Sequence, residues 1–151
     1  MSLCLSLING EGFLADMPVL LSSGQHSALA IIQQNMNIMG FDEHSGYCKP
    51  VRVVAIGKKI TTTALYLHIG DHSIITDHDQ QFFDAVTHAW YKAGDLYVGQ
   101  YLCAGNGLAL MVNAIDPVEG TFELYTLSLD HEENVHGYCI TESALVVGLV
   151  A

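Results

Sequence analysis

Residues 88–102 read HAWYKAGDLYVGQYL, and they follow a Thr76-Asp77-His78 triplet and an aromatic pair, Phe82 and Phe83. The order of these parts is informative. A β-branched run at 72–76 (HSIIT) leads into a polar turn carrying a histidine, then the aromatics, then Trp90, then a loop with glycine at 94 and 99. A strand that ends in polar, titratable residues and is followed by aromatic anchors sets reactive side chains at the rim of a packed core.

On either side of this block strand signals dominate. The segments 51–56 (VRVVAI), 60–68 (ITTTALYLH), 108–115 (LALMVNAI), 121–129 (TFELYTLSL), 137–141 (GYCIT) and 144–150 (ALVVGLV) are rich in β-branched and aromatic residues. Turn formers separate them at Gly57-Lys58, Gly70-Asp71, Gly105-Asn106-Gly107, Asp116-Pro117 and Glu119-Gly120. Within 121–129 the apolar residues change phase, from Phe122 and Leu124 to Tyr125, Leu127 and Leu129, which predicts a bulge or a strand that turns a corner. Helical stretches are expected at 27–34 (SALAIIQQ) and 84–92 (DAVTHAWYK), the second presenting Trp90 inward. The pattern predicts an all-β architecture of bent antiparallel strands with one or two short helices, in a single domain over 1–151.

Half of the residues are apolar and 14% are charged, so the chain has the material for a core and lacks the composition of a disordered one. Sixteen acids against five bases give a formal charge of −11. Four of the cations, Lys49, Arg52, Lys58 and Lys59, fall within one short stretch. A nucleic-acid partner is excluded by the shortage of cations to displace phosphate counterions, and an anionic membrane surface by the same argument. No apolar run reaches the length of a bilayer-crossing helix, and no cationic region precedes the apolar N-terminal residues. The cytoplasm is therefore expected rather than secretion. Cys4, Cys48, Cys103 and Cys139 are scattered without a CxxC spacing, which points to reduced thiols that pack as small hydrophobes.

In order along the chain, a set of spaced residues resembles one known family. Gly12-Phe13-Leu14-Ala15-Asp16-Met17-Pro18-Val19-Leu20, followed by Gly24 and Ala30-Ile31-Ile32, is similar to the opening of the Hint module, the fold shared by inteins and the autoprocessing domain of hedgehog proteins. The strand at 51–56 follows, and His78 takes the place of the family's histidine, with Thr76 two residues before it where the family has three. Trp90, Ala93, Leu96, Gly99 and Leu102 match a W-x-x-A-x-x-L-x-x-G-x-x-L pattern. Residues 112–115, 124–129 and His136-Gly137-Tyr138-Cys139-Ile140 resemble the closing strands, so the resemblance spans about 12–148.

The resemblance implies a horseshoe of strands that brings both chain ends beside the histidine, and self-cleavage by an N-to-S or N-to-O acyl shift. A nucleophile at the first position attacks the preceding carbonyl, a histidine protonates the departing nitrogen, and a threonine with backbone N–H groups stabilises the oxyanion. On that implication the candidate catalytic residues are His78, Thr76, His136 and Gly12, the last marking a vacated nucleophile position. Gly148 and Leu149 stand where an intein ends in His-Asn, and Thr126 where the family has an acid. The expectation is therefore an autoprocessing fold whose cleavage is disabled, acting on its own flanking polypeptide, without cofactor or metal. The alternative is a non-catalytic domain that offers its acidic surface to a protein partner.

The same residues have plainer readings. His78 can cap the turn after a strand, and His136 can be a surface residue in the acidic loop 130–136. Cys139, flanked by Tyr138 and Ile140, reads as core packing rather than a substitute nucleophile, because a reactive thiol needs an electropositive, partly exposed setting. Cys4 has no identified base. Eight histidines among many acids also raise a histidine-based metal enzyme, through His131 and His136 or through His72, Asp77 and His78, although none has the close spacing of a zinc motif.

Overall fold

The computed structural model describes residues 12–149, together with the backbone of a strand at Leu3–Leu5. The strands are β1 (Leu3–Leu5), β2 (Pro18–Leu20), β3 (His26–Ala28), β4 (Asn37–Asp42), β5 (Cys48–Thr61), β6 (Ala64–Ile69), β7 (His72–Asp77), β8 (Gln81–Phe83), β9 (Trp90–Lys92), β10 (Tyr101–Cys103), β11 (Ala109–Pro117), β12 (Phe122–Leu129), β13 (Val135–Ile140) and β14 (Leu145–Gly148). They form one sheet in the order β1-β5-β4-β13-β14-β8-β9, with β12 on β5 and β2-β3 branching from β13, and a second in the order β10-β11-β6-β7. The fold is all-β, as its β-branched and aromatic segments require.

β5 organises the larger sheet. Its first residues pair with β4 (Phe41 opposite Cys48, Asn37 opposite Arg52), and the rest pairs with β12 from Leu129 opposite Val53 to Phe122 opposite Thr61. The Gly57-Lys58 pair expected as a turn lies inside this strand. An unbroken register from Ser128 to Phe122 holds it extended, with Gly57 opposite Thr126. The phase change in 121–129 is real: Leu124 and Leu127 are the buried residues, three apart, and the register shifts between Ser128 and Leu129.

Both expected helices are absent as α-helices. Residues 26–28 pair with β2, leaving one 3₁₀ turn at Leu29–Ile31. At 84–88 the Asp84 carboxylate accepts the N–H groups of Val86 and Thr87, each at 2.8 Å, and closes a turn. The chain then returns as β9, with Trp90 opposite Phe83. A side chain that satisfies its own downstream N–H groups competes with helix formation, and here it wins. A second 3₁₀ turn occupies Ala93–Asp95.

Phe13 ties the two sheets together. It is fully buried, and its backbone bridges Thr76 of β7 on one side and Tyr125 of β12 on the other. The Tyr125 N–H donates to the Phe13 carbonyl at 2.7 Å, and the Phe13 N–H donates back at 3.1 Å. Its ring meets Phe82 edge-on, with centroids 6.4 Å apart. Phe13→Ala should therefore lower unfolding free energy by about 3–5 kcal/mol, the range for a buried phenylalanine. Urea denaturation checks this, and a loss under about 1 kcal/mol would mean the site collapses around the truncation.

Candidate functional site

The site is built where the first described residue of the core meets the end of β7. Gly12 has φ +114°, and a Cβ there would lie 2.7 Å from the Tyr125 carbonyl oxygen and 3.0 Å from Thr126 Cγ2. Glycine alone fits that backbone and that approach. The Thr76 hydroxyl, fully buried at the end of β7, donates to the Gly12 carbonyl at 2.6 Å.

The side chain against the Gly12 N–H is Gln80. Its Oε1 accepts that N–H at 2.8 Å, while its Nε2 donates to the Gly148 carbonyl at 3.0 Å and to the Gln81 carbonyl at 3.1 Å. Gln80 is 1% exposed, so one buried amide joins the start of the core to the end of β14. The preceding loop is fixed by the 3₁₀ turn at 93–95. The Ala93 N–H donates to the Gln80 carbonyl at 2.7 Å and the Gly94 N–H to the His78 carbonyl at 3.0 Å. A Cβ on Gly94 would press on the His78 ring at 3.3 Å. Residues 93–95, within the 88–102 stretch, therefore position this loop.

His78 itself is placed differently from the expectation. Its side chain is half exposed, and its Nδ1 lies 3.4 Å from Asp77 Oδ1. The side chain that meets the Gly12 N–H is Gln80, two residues further on. Gln80 went unnoticed in the sequence, yet a signal existed. Residues two apart in extended chain share a side, so the residue two before Phe82, which packs on Phe13, faces Gly12.

Asp77 is the buried charge of the site. Its carboxylate meets Lys59 Nζ at 3.4 Å and accepts from the Thr63 hydroxyl at 3.1 Å and the His78 N–H at 2.8 Å. Burial pushes its carboxyl up, but hydrogen bonds from Thr61 and the His78 backbone, with the Lys59 charge, outweigh that and hold it below its ordinary 3.8. Asp84 is held low in the same way, burial being outweighed by the Thr87 N–H and the Gln100 amide.

The His136 side chain contacts Glu43 rather than the Gly12 cluster. Its ring is exposed at the start of β13, with Nδ1 2.8 Å from Glu43 Oε1, and that oxygen also accepts the Trp90 indole N–H at 2.7 Å. The His136 carbonyl accepts the Leu149 N–H at 2.8 Å, beside a cavity of about 570 Å³ lined by Glu43, Trp90, His131 and Leu149. Cys139 is fully buried, and the Cys4 side chain lies outside the described residues. Among the described residues no group of three or more His, Cys, Asp and Glu converges on a metal position, so neither His72-Asp77-His78 nor His131-His136 forms one. None of the described helices is long and apolar enough to cross a membrane, which leaves β-barrel spans unaddressed.

The fold that positions this cluster has known counterparts. The structure superposes on the solution structure of a bacterial intein-like domain from Clostridium thermocellum with a TM-score of 0.82 and 22% identity, covering 93% of this chain and 99% of that one. It superposes on the crystal structure of a DnaB intein from Synechocystis sp. with a TM-score of 0.76 and 13% identity, over 93% and 99% of the two chains. For the MchDnaB-1 intein the TM-score is 0.72 at 14% identity, over 90% and 98%. Neither a protein-family model nor a curated protein matches the sequence. The chain has the Hint fold, the intein-like architecture that its ordered sequence blocks resemble.

A carboxyl held low in the native state contributes stability that is full above its unfolded pKa and is lost as pH falls through the native one. Resistance to thermal unfolding should therefore weaken below about pH 4. Asp77→Asn should flatten that acid limb and cost about 3 kcal/mol at pH 7, because it removes a partner of a buried cation. An unchanged acid limb in Asp77→Asn would contradict the assignment.

Proposed function

We propose that the chain is an intein-like module that holds a junction peptide in the processing position of the Hint fold and does not cleave it. The observation that carries this reading is the pair of residues at the junction. Gly12 offers no side-chain nucleophile, and its surroundings are filled. The group on its N–H is the Gln80 amide, which has no proton to give to a departing nitrogen near neutral pH, whereas an imidazole does. Thr76 supports kinship with the family's threonine, but its hydroxyl is spent on the Gly12 carbonyl.

On this reading the module spans residues 12–148 as one domain, and its first partner is its own flanking polypeptide, held where the Gln80 amide draws Gly12 and Gly148 together. A net charge of −11 supports a second role, presentation of an acidic surface to a cationic protein partner. The competing reading, active self-cleavage, would need His78 or His136 to reach the junction. His78 pairs with Asp77, and His136 pairs with Glu43.

A reporter fused upstream of the chain and incubated with dithiothreitol tests the proposal. No thiol-dependent release is expected from the unmodified chain. Gly12→Cys should also remain uncleaved and should lose about 2–4 kcal/mol of stability, since it forces a Cβ into a left-handed, crowded position. Release of the reporter from the unmodified chain, abolished by His78→Ala, would overturn the reading.

A further inference from the structure

Three of the thiols meet far along the chain from one another. Cys48 opens β5, Cys139 lies in β13, and Cys103 ends β10 and packs into the same small apolar cluster with Phe41, Phe83 and Val146. The Cys48 and Cys139 sulfurs are 3.2 Å apart, and all three thiols are free. That separation is inside van der Waals contact and only about 1.2 Å longer than a disulfide bond. Gly105 makes the approach possible, since a Cβ there would lie 2.6 Å from the Cys48 sulfur and 2.8 Å from that of Cys139. The Gly105 backbone is held over the pair by its N–H on the Ala144 carbonyl at 2.7 Å.

We propose that Cys48 and Cys139 form a dithiol site that is oxidised to a disulfide by a small-molecule disulfide such as oxidised glutathione, stapling the start of β5 to β13 across β4. The two members differ in access, which fixes the order of steps. Cys48 is partly exposed and Cys139 is fully buried. The contact with Cys139 holds the Cys48 thiol below its ordinary value against the effect of burial, while the same contact together with burial pushes Cys139 far up. Cys48 is therefore the sulfur that reacts first.

Its thiolate attacks one sulfur of oxidised glutathione, giving a Cys48–glutathione mixed disulfide and a glutathione thiolate, which takes up the Cys48 proton. The Cys139 sulfur then attacks Cys48, the mixed disulfide breaks, and the second glutathione leaves carrying the Cys139 proton. In sum two thiols are oxidised and one oxidised glutathione is reduced to two reduced molecules. β13 carries His136 and pairs with β14, which ends at Gly148, so the staple anchors the strand pair that delivers the C-terminal side of the Gln80 clasp.

The test uses the full chain with Cys4→Ser, incubated in oxidised glutathione and then alkylated. Intact mass should show the loss of two hydrogens and the gain of a single alkyl group, and a peptide map should show residues 48 and 139 joined, with Cys103 alkylated. Reduction by dithiothreitol should reverse this, and the oxidised form should melt roughly 5–10 °C higher. Cys103→Ser should keep the cross-link, and Cys48→Ser, at a half-exposed position, should abolish it while the fold persists by circular dichroism. Gly105→Ala should slow cross-linking at least tenfold by separating the sulfurs. Three alkylated thiols, a stable glutathione adduct without closure, or a cross-link that uses Cys103 would each overturn the proposal.

Discussion

The joining of the two ends of the core depends on one buried carboxamide. Gln80 has an acceptor oxygen and two N–H donors, and at 1% exposure each has to find a protein partner. Its oxygen takes the Gly12 N–H, and its two donors reach the Gly148 and Gln81 carbonyls. Removing it would leave a buried N–H and a buried carbonyl without these bonds, at about 1–3 kcal/mol for each group left unsatisfied. The clasp exists because Phe13 is already locked between β7 and β12, and because Ala93 and Gly94 hold the 78–80 loop down. Position, not length of contact, gives the amide its influence.

The same carboxamide separates scaffold from chemistry. On the proposed reading, self-cleavage would need a group that changes protonation, set against the peptide nitrogen, and a nucleophilic side chain on the residue that carries that nitrogen. On that reading the Gln80 amide supplies the hydrogen bond without a titrating proton, and Gly12 supplies the backbone path without a nucleophile. Thr76 Oγ1 at 2.6 Å from the Gly12 carbonyl completes a cluster of neutral hydrogen bonds. The charged residues sit one shell away: Asp77 is turned toward Lys59 and Thr63, and His78 toward Asp77. On the proposed reading, such an arrangement holds a peptide and does not break it.

Much of the architecture could be read from the residues, because strand composition and turn chemistry are local properties. The segments around β6, β7, β11, β12 and β14 stand close to where β-branched runs and Gly, Asn and Pro turns put them. The errors share a cause. Gly57 looked like a turn until the β12 register held it extended, and 84–92 looked helical until the Asp84 carboxylate captured two N–H groups. Both were decided by partners that a linear reading does not display. The site was legible in outline only. Resemblance pointed to His78, whereas the Gly12 N–H meets Gln80, whose side of the chain becomes apparent once Phe82 is seen packed on Phe13. The Cys48–Cys139 contact, between residues 91 apart in sequence, had no local signal at all.

Amide hydrogen exchange at Gly12, followed by NMR in the native protein and in Gln80→Ala, tests the clasp most directly. The account predicts that the Gly12 N–H is protected nearly as well as the core amides in the native protein. In Gln80→Ala its protection should fall by tenfold or more, while the Phe13 N–H, bonded to the Tyr125 carbonyl, stays protected. A Gly12 amide that exchanges freely in the native protein, or one indifferent to the loss of Gln80, would contradict it.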